Sequence, residues 1–459
     1  MDITNIILKA KARALEETKD IPVPSTVEKI EWPVTCTVGP GLEGAISAET
    51  KVGYVNGQKG WLVYRGYNIF DLCAYANFEE VSYLLLHGKL PNKEELSAFD
   101  AKLKESRHIN QTLRLLMSFP AESSSPMSAL RLGVNLMRQK QTFRDQDGST
   151  KLTQTIASDE DSIPMETSPV GEKEAIYAFN ALTHRHPQAE EKHLTASTEM
   201  ESCYQLIAGT ATLTAAIARI RQGKLPLEPR DDLSHAANFL YMVTGREPTA
   251  LETRIMDVNL ILHADHGMNA STFASMVVAS TLSDIYFSIG SGVAALSGPL
   301  HGGANEDVIH TLEEIGSPQN VPSWYAKARE EKRKVPGFGH RVYKAYDPRA
   351  RILGPLAEEI TRGNQEMEQL MATAKELENQ VVSHLGKEKN IFPNVDYYSG
   401  IVYKAMGLQE DIFTPLFAVS RVSGWTARVM EYLQHNRIFR PRAIYTGEFY
   451  DEFPQGFRD

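Results

Sequence analysis

After Tyr67 the apolar residues of this chain recur at spacings of three and four, the pattern of helices that bury one face. FEEVSYLLLHG, SHAANFLYMVTG, ALETRIMDVNLILHADHG and PLFAVSRVSGWTARVMEYLQHN all follow it. Several close on Gly or Asn, residues that accept the left-handed turn ending a helix. The opening run MDITNIILKAKARALEETKD has the same spacing and predicts an amphipathic helix docked on the body of the protein. Between Lys29 and Tyr64 the period shortens. There EGAISAETKVGYVNGQKGWLVYRG alternates apolar and polar positions around Asn56-Gly57, a hairpin signal. The fold class is therefore mostly α with a short N-terminal β-hairpin region.

Two segments depart from the amphipathic pattern. The run from Met276 to Leu300 is the most apolar, yet it is rich in Ala, Ser and Gly and contains Asp284. It predicts a buried helix that allows close backbone packing rather than a membrane span. From 138 to 171 the chain is polar and without a steady period, which predicts a surface loop inserted into the helical pattern.

A chain of 459 residues can bury a large core and form two or three domains. The net charge of −10 argues against a general binder of nucleic acid or anionic membrane, since both rely on a basic surface. An anionic ligand must then be met by local arginines. Cys36, Cys73 and Cys203 are odd in number and widely spaced, so they form no disulfide framework and are expected to be buried thiols. The N-terminal run carries four acids, unlike an acid-poor transit peptide, and a cytoplasmic location is expected.

Three short stretches concentrate candidate chemistry. In SGPLHGGANEDVI, the helical pattern resumes at Ala304, so His301 would lie near a helix N-terminus that disfavours imidazolium. A neutral imidazole can donate a hydrogen bond to an enolate oxygen. In GFGHRVYKAYDPRARIL, Gly337 and Gly339 allow unusual backbone turns beside His340. Asp347-Pro348 reads as a helix start, with Arg349 in the first turn, where a fixed cation adds to the helix end's affinity for carboxylates. In NVDYYSGIVYKAMGL, Asp396 begins a short helix closed by Gly407, and in an apolar pocket it would be basic enough to take a proton. Each group alone has an ordinary structural reading: a turn histidine, a solvated arginine, a capping acid.

Upstream, HADHGMNASTF spaces His263 and His266 three apart, which predicts a shared helical face. A metal is not expected, because neither an HExxH pattern nor a cysteine pair accompanies them. Arg421, beside Gly424 and Trp425, and Arg440 and Arg442 near the C-terminus are candidate carboxylate clamps.

SGPLHGGAN, GFGHRVYKAYDPRA, PNVDYYSG and RPRAIYTG, in this order, resemble the citrate synthases, and PGLEGAISAET with YRGY is similar to that family's N-terminal region. The resemblance runs from about Gly39 to Gly447, with 138–171 as its main departure. It implies a helical homodimer with a large domain, residues 1–309 and 414–459, a small domain, residues 310–413, and an active site between them. By the same matching, His301 stabilises the enol of an acyl-CoA thioester, Asp396 removes its methyl proton, and His340 polarises the ketone of oxaloacetate. His266, Arg349 and Arg421 would hold oxaloacetate, and Arg440 would reach across the dimer. Lys344, with Gly337 and Gly339, would meet CoA, although Lys in place of Arg loses the bidentate fork. No cofactor is implied beyond the acyl-CoA substrate.

The short run before PGLEGA favours a dimer over the family's NADH-inhibited hexamers. The near alternative is 2-methylcitrate synthase, which uses propionyl-CoA with the same catalytic trio. One methylene is worth only about 1–3 kcal/mol in a pocket, so a few lining residues decide. A non-catalytic helical scaffold and a metallohydrolase built on His263, His266 and His301 are the readings from other classes, and the second would carry zinc.

Overall fold

A computed structural model describes residues 2–25, 30–138 and 196–448. The polar segment 138–171 lies outside the described residues except for its first residue. The N-terminal half contains α1 Ile3–Glu17, a three-stranded sheet (β1 Gly53–Asn56, β2 Trp61–Tyr64, β3 Tyr67–Asn68), α2 Ile69–Tyr75, α3 Phe78–His87, α4 Lys93–Ser106, α5 Asn110–Met117 and α6 Pro126–Leu136. There follow α7 Ala196–Arg221, α8 His235–Thr244, α9 Ala250–His263, α10 Ala270–Ser280, α11 Ile285–Leu296 and α12 Ala304–Ile315. The C-terminal part is α13 Val321–Glu330, α14 Pro348–Thr361, α15 Gln365–Val381, α16 Val395–Ala405 and α17 Phe413–Leu433.

Local chemistry sets many of these boundaries. Asn77 and Thr249 form reciprocal capping boxes with Glu80 and Glu252 at the starts of α3 and α9. Gly88 and Gly245 adopt the left-handed conformation at the ends of α3 and α8. The single buried helix predicted from Met276 to Leu300 is in fact two helices. The Asp284 carboxylate accepts the N–H groups of Tyr286 and Phe287 at 2.9 and 3.1 Å, and so starts α11 with four residues between it and the end of α10. Among the described residues no helix is long and apolar enough to cross a membrane.

The hairpin forms with β1 and β2 antiparallel, and Asn56 opposite Trp61 leaves Gly57 to Gly60 as a four-residue connection. Gly57 is needed for approach rather than for turn type: a Cβ there would lie 1.9 Å from the Val342 carbonyl oxygen. That carbonyl belongs to the His340 loop, whose Lys344 and Ala345 N–H groups donate to Gly57 O at 2.9 and 3.2 Å. Lys59 at the same tip is buried and donates to the carbonyls of Thr18, at 3.1 Å, and Ile21, beyond the end of α1. The hairpin therefore joins the N-terminal helix to the candidate site. Helix α1 itself buries Ile3, Ile7 and Ala10 and packs against α2 and α14.

Helix α17 is the central rod, buried from Phe413 to Val429 with few breaks and packed on α3, α7, α9, α10 and α11. A helix apolar nearly all round belongs in a core. The division expected between residues 309 and 310 falls inside α12, which runs from Ala304 to Ile315. Cys73 and Cys203 are buried as expected, whereas Cys36 is exposed because it lies in an irregular N-terminal segment with little packed over it.

Candidate active site

The shared helical face predicted for His263 and His266 does not form, because α9 ends at His263. His263 points back into the helix, its Nδ1 2.8 Å from the Asn259 carbonyl and its ring edge against Phe417. Burial pushes its pKa down to about 3. His266 lies beyond the helix end in a loop fixed by Asp265. That carboxylate is wholly buried and grips Arg428 of α17 through Nε and Nη2 at 2.6 and 2.8 Å, and it also accepts the Gly267 N–H at 3.1 Å. The Tyr64 hydroxyl of β2 accepts the Asp265 N–H at 3.1 Å and donates to its carbonyl at 2.9 Å. His266 is thereby presented to Tyr343, its Nε2 3.2 Å from the hydroxyl, and to the His340 ring at 5.0 Å. Burial first, then the Arg349 cation, holds it neutral.

The His340 loop is turned by Gly337 and Gly339, at φ 78° and 83°. His340 Nδ1 accepts the backbone N–H groups of Val342 and Tyr343 at 3.0 and 3.2 Å. The proton of the neutral ring must then sit on Nε2, the free edge. Burial and the nearby Arg349 push its pKa down to about 4, so near pH 7 His340 is a neutral hydrogen-bond donor. The Asp347-Pro348 helix start forms as expected, with the Asp347 carboxylate accepting the Arg349 N–H at 2.9 Å. The same carboxylate holds the Arg349 guanidinium in a two-pronged pair at 3.0 and 2.7 Å, both side chains almost fully buried. The Tyr343 ring packs against His266, His340 and the Arg349 guanidinium at 5.5, 4.8 and 5.9 Å. Lys344 projects from this loop with an exposed side chain.

His301 meets a helix N-terminus, but that of α10 rather than of the helix its own chain enters. Its Nε2 accepts the Ser271 N–H at 3.2 Å and lies 2.8 Å from the Ser271 hydroxyl, which Trp425 of α17 also contacts at 3.2 Å. The ring proton therefore sits on Nδ1. Burial, with Arg421 adding to it, pushes the pKa down to about 4.

Asp396 is the second residue of α16, its N–H capped by the Asn394 side chain at 3.0 Å. Burial pushes its carboxyl up to about 6 against the pull of Arg349, while Asp347 raises it further and Arg421 lowers it. Arg421 itself is 2 % exposed, and its Nε donates to the His263 carbonyl at 2.6 Å. Burial pushes its pKa down to about 10. No carboxylate among the described residues lies within ion-pairing distance of it. It is a buried cation in want of an anion.

His266, His340, Arg349, Asp396, Arg421 and His301 are thus linked by contact or by mutual electrostatic influence. Arg440 and Arg442 are not brought in: both are exposed on the segment after α17 and form no ion pair with the described residues. Among the described residues no group of three or more His, Cys, Asp or Glu is arranged to hold a metal. Tyr343, Ser271, Asn394 and the Asp265–Arg428 pair were not anticipated. Only Asp265, set between two histidines in HADHG, carried a signal in the sequence.

Residues 41–442 match the family described as citrate synthase, C-terminal domain. The chain is 39% identical to the citrate synthase of Acidithiobacillus ferridurans over 413 residues, 89% of this chain and 95% of that one. The crystal structure of citrate synthase from Pyrobaculum aerophilum superposes with a TM-score of 0.76 at 38% identity, covering 95% of this chain and all of that one. Citrate synthase from Thermoplasma acidophilum, solved as a ternary complex with carboxymethyl coenzyme A and oxaloacetate, gives a TM-score of 0.76 at 31% identity, covering 93% of this chain and all of that one. With a family match over most of its length and relatives well above 30% identity, this chain belongs to the citrate synthase family.

Proposed function

We propose that this protein condenses acetyl-CoA with oxaloacetate and hydrolyses the resulting thioester to citrate and CoA. One observation carries the reading: two neutral imidazoles with opposite fixed tautomers, His301 and His340, share the influence of buried arginines with a carboxyl group whose pKa is about 6. A thioester methyl is a very weak carbon acid, so its removal needs a placed base and a donor on the developing oxyanion. Asp396 takes the methyl proton while His301 Nδ1–H donates to the thioester oxygen. The enolate carbon then bonds to the ketone carbon of oxaloacetate, the thioester C=O re-forms, and the ketone oxygen, hydrogen-bonded by His340 Nε2–H, takes the electron pair and finally the proton that Asp396 had removed. Water cleaves the citryl thioester, and CoA leaves as its thiol.

His266, Arg349 and Arg421 hold oxaloacetate, with Arg421 finding its missing counter-charge in a substrate carboxylate. Gly337, Gly339 and Lys344 lie along the path of CoA. Arg440 reaches the site of a second copy in a homodimer, and the protein works in the cytoplasm. The test follows CoA thiol release from oxaloacetate with acetyl-CoA or propionyl-CoA. Faster release from acetyl-CoA is expected. A preference for propionyl-CoA would move the protein to 2-methylcitrate synthesis, and no release from either would overturn the reading.

A further inference from the structure

His340 and Asp396 come from segments far apart in the chain, yet their chemistry requires a fixed separation. The two segments are laced together directly. Phe338 and Pro393 form an isolated antiparallel bridge, the Gly339 N–H donates to Phe392 O at 2.9 Å, and the Asn394 N–H donates to Gly337 O at 2.8 Å. The Asn394 side chain completes the lacing at both ends of its amide. Its Oδ1 accepts the Asp396 N–H at 3.0 Å, and its Nδ2 donates to Gly339 O, also at 3.0 Å, across 55 residues of chain.

We propose that Asn394 is a positioning residue that sets the distance between the base Asp396 and the ketone-polarising His340. The proposal rests on the roles given to those two residues above. One end of the amide fixes the peptide of the base, and the other fixes the residue immediately before the histidine. Capping alone would not require Asn, because Asp and Ser cap helices about equally well. Neither can make this link: a carboxylate has no donor for Gly339 O, and a serine hydroxyl occupied with the cap cannot also reach it.

The test compares Asn394→Ser and Asn394→Asp with the parent in the full-length protein, using acetyl-CoA and oxaloacetate. Both variants keep the cap and should melt close to the parent. Both should lose roughly 10- to 100-fold in kcat, since misplacement by about 1 Å can cost that much. Oxaloacetate affinity, measured by calorimetric titration, should stay within about threefold, because the arginines that hold it stand on α14 and α17. Parent-like kcat in either folded variant overturns the proposal. So does a loss of rate matched by an equal loss of folded protein, read by circular dichroism at the assay temperature. An inert parent overturns the reading beneath the proposal, and the proposal with it.

Discussion

At the scale of single residues, environment assigns the acid–base roles. His263, His301 and His340 are all held neutral by burial, but a backbone group occupies Nδ1 of His263 and His340 and Nε2 of His301, so His301 presents the opposite edge. Asp396 is pushed the opposite way, up to about 6, because burial disfavours its charged form. Acting as a base, it must be ionised, so kcat should rise with pH through about 6 and level off above. The same shift has a cost in stability. A carboxyl whose folded pKa lies above its unfolded value favours folding while protonated, and that contribution is lost as pH rises through the folded pKa. Asp396→Asn should therefore abolish condensation, leave oxaloacetate binding near parent, and melt higher than the parent at pH 8 but not at pH 4. A variant that still condenses at the parent rate removes Asp396 from the mechanism.

At the scale of elements, most of the helical pattern was legible because its signals are local. Apolar spacing, capping residues and terminal glycines place α3, α8, α14 and α16 close to where the sequence puts them. What the spacing misplaced depends on tertiary partners. The end of α9 at His263 goes with the loop built on the buried Asp265–Arg428 pair, whose members lie 163 residues apart. Helix α10, against which His301 turns, is also non-local to it in sequence, with Ser271 30 residues away. Gly57 makes the same point: the Asn-Gly signal correctly marks a hairpin, but the glycine is needed because another loop's backbone rests on it. Gly57→Ala should push the Val342 carbonyl away and loosen the loop that carries His340. We expect a stability loss of about 1–3 kcal/mol in urea denaturation and a disproportionate fall in kcat. If the rate per folded molecule is unchanged, the hairpin does not support the site.

At the scale of the whole molecule, a net charge of −10 surrounds a site whose buried arginines stand on two different helices. Arg349, on α14, already has Asp347 as its counter-charge, whereas Arg421, on α17, has none among the described residues. A dianion bridging the two would relieve the cost of burying Arg421 and tie α14 to the central rod. Binding should therefore stabilise the fold and draw its parts together, with oxaloacetate preceding the acyl-CoA. Oxaloacetate at 100 times its Kd should add about 2.7 kcal/mol to the unfolding free energy, seen as a higher melting temperature, and should reduce the radius of gyration in small-angle scattering. Replacing Arg421 with methionine removes a buried, unpaired charge, so the ligand-free variant should melt no lower than the parent. The same variant should show neither the thermal shift nor the compaction, because the anion's partner on α17 is gone. A ligand-free variant that melts well below the parent would mean that Arg421 is held for the fold through its bond to the His263 carbonyl, and that the anion is gripped elsewhere.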